Sequence, residues 1–156
     1  MVDGAKLQEI LQENADLLEQ MVDLEEETQY LLVHSDAGKL EALNMRKEKL
    51  ITRMAELEEQ RKGMFAAGTT LEQYLAAEEP PNRRELEELR KLILKRHASL
   101  QKKLRINRYL LRHNLHFTRQ AMNCLFPGVK DAALYAASGE KSGQVPYPAG
   151  LVDSNA

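Results

Sequence analysis

Tryptophan is absent from this chain of 156 residues, phenylalanine occurs three times, and aromatic residues make up only 5%. Eight glycines and five prolines are few for a protein built of short strands and turns. That scarcity argues against an all-β barrel or sandwich and points to long helices. The single cysteine, Cys124, has no partner for an internal disulfide, which suits a reducing cytosol. Nowhere does an apolar run approach the roughly 18 positions that a membrane-spanning helix needs. The opening Met-Val-Asp-Gly-Ala-Lys-Leu lacks a basic stretch leading into apolar residues, so no secretory signal is expected. Charge is nearly balanced, with 22 Lys and Arg against 24 Asp and Glu. A net charge of −2 exerts no global pull toward nucleic acid or acidic membranes. The length fits one domain.

What the chain has is helical periodicity. Leu7, Ile10, Asn14, Leu17, Met21, Leu24, Thr28 and Leu31 recur at alternating steps of three and four, and Leu11, Leu18 and Leu32 widen the stripe. Leu40, Leu43, Lys47, Leu50, Met54, Leu57, Arg61 and Met64 repeat the steps. A third series runs Leu86, Leu89, Ile93, Arg96, Leu100, Leu104, Asn107, Leu111 and Asn114, with an added step of four at Leu104. Such spacing predicts helices packed side by side at a shallow angle. Asp3 is a cap for the first, and Ser35 or Asp36 for the second, across a turn containing Gly38. Gly68 suits the end of the second helix. Thr70-Leu-Glu-Gln73 has capping-box spacing for a short helix over 71–76, and Pro80-Pro81 stops it. Asn82-Arg-Arg-Glu85 restarts a helix that ends before Pro127 and Gly128.

The predicted architecture is all-α: an antiparallel three-helix bundle or coiled coil over 1–128. Its helices cover about 5–34, 37–67 and 83–126, and residues 129–156 form a flexible tail with a possible short helix at 131–137. At 1.5 Å per residue the first two helices reach roughly 45 Å and the third roughly 66 Å. The third should therefore overhang the 35–38 end, carrying Leu115, Phe117, Met122, Leu125 and Phe126 uncovered. An exposed apolar patch of that kind marks a partner site. A break near Asn114 with the helix folding back is the alternative.

Charge is segregated: residues 1–60 hold fifteen acids and six bases, and residues 83–119 hold twelve bases and three acids. Ion pairing of a basic third helix against two acidic ones accounts for this. Nucleic-acid binding is the competing reading, but no aromatic residues interleave the basic run and no recognised motif occurs. His113 and His116 share a helix face, yet a zinc site needs two more ligands, and Glu25-Glu26-Glu27 falls mostly on solvated positions. No nucleophile elbow, phosphate loop or metalloprotease motif is present, and Cys124 reads as a small buried thiol, so no catalytic residue, cofactor or metal is expected. Lys47, Arg61, Asn107 and Asn114 interrupt the stripes. Register specification suits them, with Lys47 and Arg61 snorkelling or pairing with acids of the first helix.

Two stretches resemble the flagellar export chaperone FlgN family. One is Asp36-x3-Leu40-x2-Leu43-x3-Lys47-x2-Leu50-x3-Met54-x2-Leu57-x3-Arg61. The other is Asn107-Arg-Tyr-Leu110-Leu111-Arg-His-Asn114-Leu115-His-Phe117-Thr118, and Tyr135 with Gly139 matches a feature common near that family's C-terminus. The resemblance covers roughly residues 5–139, and the added step at Leu104 shifts the register of the third helix. It implies a cytoplasmic, non-enzymatic chaperone of flagellar type III export. Such a protein binds the C-terminal helical segments of hook-associated junction proteins of the FlgK/FlgL type, prevents their premature assembly and presents them to the export gate. It implies binding through the C-terminal region, where the overhang also falls. The expected partner-binding residues are Leu111, Asn114, Leu115, Phe117, Thr118, Met122, Leu125, Phe126 and Tyr135, with no nucleic acid bound and no stable membrane insertion. A coiled-coil adaptor that self-associates through the same patch is the other expectation.

Overall fold

Asp3 begins the first helix by accepting hydrogen bonds from the backbone N–H groups of Ala5 and Lys6, at 3.0 and 3.2 Å. Those donors would otherwise point into solvent at the helix start. The computed structural model describes residues 2–127, and those residues form four helices and no strand. Helix α1 is Gly4–Val33, α2 is Ala37–Met64, α3 is Leu71–Glu78 and α4 is Arg83–Leu125. The protein is an all-α bundle. The expected tail over 129–156, its short helix and Tyr135 lie outside the described residues.

Turn chemistry sets the helix boundaries. Helix α1 ends with Ser35 in the left-handed region at φ 54°, and Asp36 donates its N–H back to the Leu31 carbonyl at 3.0 Å. This closes the helix in a Schellman arrangement. Asp36 precedes α2 but makes no side-chain cap bond, and Gly38 falls inside the helix. Helix α2 stops at Met64, three residues before the expected end, because Phe65 turns extended. There it packs against the core and meets Tyr74 edge-on, with ring centroids 5.5 Å apart. Gly68, at φ 84°, lies in the connector instead. Thr70 and Gln73 exchange the two bonds of a capping box at 2.9 and 3.2 Å. Asn82 does not cap α4 with its side chain. It donates to the Gly4 carbonyl and to Gln8, tying the start of α4 to α1.

The chain divides into two units, residues 1–111 and 112–156. In the first, α1 is the central strut: it supplies twelve buried residues, whereas α2 supplies two. Leu7 and Leu11 pack with Tyr74, Leu75, Leu86 and Leu89. Further along, Ile10 and Leu17 meet Leu57, Leu18 and Met21 meet Leu100, and Leu24 and Leu31 meet Leu43. The pairing numbers rise together for α1 with α4 and oppose for α1 with α2, so the order is up, down, up. Full burial of a leucine such as Leu7, Leu57 or Leu86 is worth about 1.5–3 kcal/mol.

Charge reinforces this register. Arg96 of α4 reaches Glu19 at 2.8 Å and the Ala15 carbonyl at 2.7 Å, and Lys103 reaches Glu26 at 3.3 Å. Between α1 and α2, Arg53 grips both carboxylate oxygens of Glu13 at 2.6 and 3.0 Å. Arg53's hydrogen bond holds the Glu13 carboxyl below its ordinary range. Arg61 pairs within its own helix, with Glu58 at 2.7 Å, rather than with α1. In the second unit, α4 continues without interruption past Asn114 to Leu125.

Candidate partner-binding site

Glu25 follows a leucine that faces the core, and one step along the helix turns it toward the bundle rather than to solvent. It is buried, contrary to the expectation of a solvated carboxylate run. Its two oxygens are divided between two helices. Lys47 of α2 sits 2.8 Å from Oε1, and Asn107 of α4 donates through Nδ2 to Oε2 at 2.7 Å and to the Glu25 carbonyl at 2.8 Å. Each of the three long helices thus contributes one member to a buried polar layer. Among the described residues, Asn107 is the last residue of α4 to be buried.

A groove opens against this layer within the first unit. Its volume is about 250 Å³, and its walls include Thr28 and Leu32 of α1, Leu40 of α2, and Leu104, Arg108 and Leu111 of α4. Asn107 also lines it, and its Oδ1 finds no hydrogen-bond partner among the described residues. The site residues inferred from sequence did not include this groove, apart from Leu111. Its signal was present in the polar interruptions at Lys47 and Asn107.

Farther along α4, Leu111, Leu115, Phe117 and Leu125 are 46%, 41%, 69% and 70% exposed. Thr118 is exposed, while Asn114, Met122 and Phe126 are half-buried. Successive residues turn by about 100° on an α-helix, so in the second unit Leu115, Thr118, Met122 and Leu125 share one stripe. Asn114 lies at its edge. Phe117 does not belong to it, being rotated by about 120° from the centre of the stripe. The Thr118 hydroxyl donates to the Asn114 carbonyl at 2.9 Å, so its proton is engaged within the helix. Cys124, expected to be buried, is exposed.

Exposed leucines with few polar partners suit contact with another apolar surface. Among the described residues, no three His, Cys, Asp or Glu side chains form a group suited to a metal ion. No helix among them is long and apolar enough to cross a membrane. A family model described as FlgN protein matches residues 1–143. The chain belongs to the FlgN family. FlgN is a family of flagellar export chaperones, not of enzymes, and its members bind flagellar proteins. No match occurs among curated proteins or solved structures.

Proposed function

We propose that this protein is a cytosolic export chaperone for hook-associated junction proteins of the FlgK/FlgL type. In this reading it binds their C-terminal helical segments, prevents premature assembly and presents them to the flagellar export gate. The observation that carries the proposal is the exposed leucine stripe of α4 in a chain of the FlgN family. An amphipathic client helix would lay its apolar face along Leu115, Met122 and Leu125. Asn114 stands at the edge of that contact, where a polar side chain can fix the client's alignment. Phe117 offers a second apolar point on another face of α4, and Phe126 continues beyond the helix end. Tyr135, in the region beyond the described residues, extends the proposed binding segment.

Calorimetry with the C-terminal segment of a hook-associated protein tests this. Replacing Leu115 and Phe117 together by alanine should weaken binding by roughly tenfold or more, the order expected for interface anchors. Unchanged affinity overturns the proposal.

A further inference from the structure

From Leu89 to Lys130 the sequence contains no aspartate or glutamate, so a cation beyond the first turn of that stretch finds no acid one turn away on either side. The acids of α1 near the groove are already engaged. Glu25 holds Lys47, Glu26 holds Lys103, and Glu27 holds Arg46. Arg105 and Arg108, one turn apart on α4, form no ion pair among the described residues. Arg108 stands on the wall of the groove, beside Leu104 and Leu111.

The groove is too small for a helix, which is about 10 Å across, but a bulky apolar side chain can enter. Four leucines line it together with Thr28, Asn44 and the buried polar layer, and the one charged wall residue outside the Glu25–Lys47 pair is a cation. A carboxylate presented beside such an anchor would meet Arg108 in a charge-assisted hydrogen bond, stronger than one between neutral groups. A lysine in the same place would face like charge, which works against binding.

We infer that the groove between α1, α2 and α4 is a docking site for an acidic amphipathic helical segment of the client. A large apolar side chain fills the space between Leu32, Leu40, Leu104 and Leu111, and a neighbouring Asp or Glu pairs with Arg108. This rests on the chaperone reading for the identity of the client, but it concerns a site within residues 1–111 and adds a charge requirement.

The test is calorimetry on the full chain with three synthetic amphipathic helices whose apolar stripe is flanked by Glu, Gln or Lys. A C-terminal segment of a hook-associated protein is measured alongside. The Glu-flanked peptide should bind roughly tenfold tighter than the Lys-flanked one at low salt, with the advantage shrinking as salt rises. Arg108→Glu should reverse that order. Lys95→Glu, an exposed cation of α4 outside the groove, should leave it unchanged. Equal affinities for the three peptides, or an order unaffected by Arg108→Glu, overturn the inference. A mass that doubles on light scattering and falls with Arg108→Glu assigns the groove to a second copy and overturns it too. Removing residues 129–156 and finding tighter binding of all three peptides alike would assign the groove to the chain's own end, against the inference. A hook-associated segment that binds the native chain and Arg108→Glu equally refutes the charge requirement while leaving the chaperone reading intact. Failure of that segment to bind, with the charge order preserved, refutes the chaperone reading instead.

Discussion

Lys47 Nζ lies 2.8 Å from Glu25 Oε1, with the two side chains only 12% and 6% exposed. An ion pair this sheltered has given up most of its hydration, and its attraction offsets that loss only while both partners remain. Lys47→Met strands the carboxylate with Asn107 as its one remaining side-chain partner. The expected cost is about 3–5 kcal/mol, read as a lower urea midpoint with an unchanged slope. Adding Glu25→Leu to that variant should restore part of the loss, because the orphaned charge is gone. A double variant as unstable as the single one would contradict this account.

The α1–α2 turn carries a residue in the wrong place for its backbone. Ser35 occupies the left-handed region, and Gly38 sits in helix α2, where an added Cβ meets only Asp36 Oδ1 at 3.9 Å. Left-handed backbone costs a residue other than glycine roughly 1–2 kcal/mol, and glycine inside a helix costs roughly 0.5–1 relative to alanine. Ser35→Gly and Gly38→Ala should therefore each stabilise, and together raise the melting temperature. Calorimetric melting checks both, with a fall for either counting against it.

Much of this architecture was legible in the sequence because heptad steps and caps are local signals. Asp3 and the Thr70–Gln73 box act as their spacing suggests. The exceptions are tertiary. Phe65 leaves its helix early to meet Tyr74, a residue nine positions away that no local pattern connects to it. Glu25 resembles its neighbours Glu26 and Glu27 in sequence, but only Glu25 turns inward to find Lys47 and Asn107. In α2 the eight-residue stripe yields just Leu43 and Leu57 as buried positions, because the pattern marks a face without saying how fully a neighbour covers it. Leu115 and Phe117 both fall on the length of α4 expected to overhang, and a turn of about 100° per residue separates their faces.

That separation makes a prediction about client binding. Leu115→Ala removes a member of the leucine stripe, whereas Phe117→Ala acts on another face. If one client helix lies along the stripe, Leu115→Ala should weaken it severalfold and Phe117→Ala should do so less. Fluorescence titration of a labelled hook-associated segment distinguishes them. Light scattering of the unliganded chain adds a check, since dissociation of an oligomer by Leu115→Asp would favour self-association through this surface.

Acid should destabilise the bundle with a definite sign. Hydrogen bonds from Arg53, Arg61 and Arg83 hold the carboxyls of Glu13, Glu58 and Glu87 below their ordinary value of 4.5. A carboxylate favoured by folding contributes fully above its unfolded pKa, and that contribution is lost as pH falls through the folded one. Melting temperature should thus hold between about pH 7 and 5 and decline below, as these groups protonate. Arg53→Gln should make the decline shallower, and high salt should do likewise by screening these accessible pairs. A melting temperature that rises on acidification through this range would refute the assignment.

The central position of α1 has a further consequence during synthesis. Its leucines emerge first, yet Leu7 and Leu11 meet Leu86 and Leu89 only after nearly eighty more residues have been made. Pairing with α2 covers part of the surface sooner, but Leu18 and Met21 still wait for Leu100. A nascent chain halted within α3 would leave much of its stickiest helix open to solvent. Before it can guard any other polypeptide, a newly made copy passes through a stage in which it needs guarding itself.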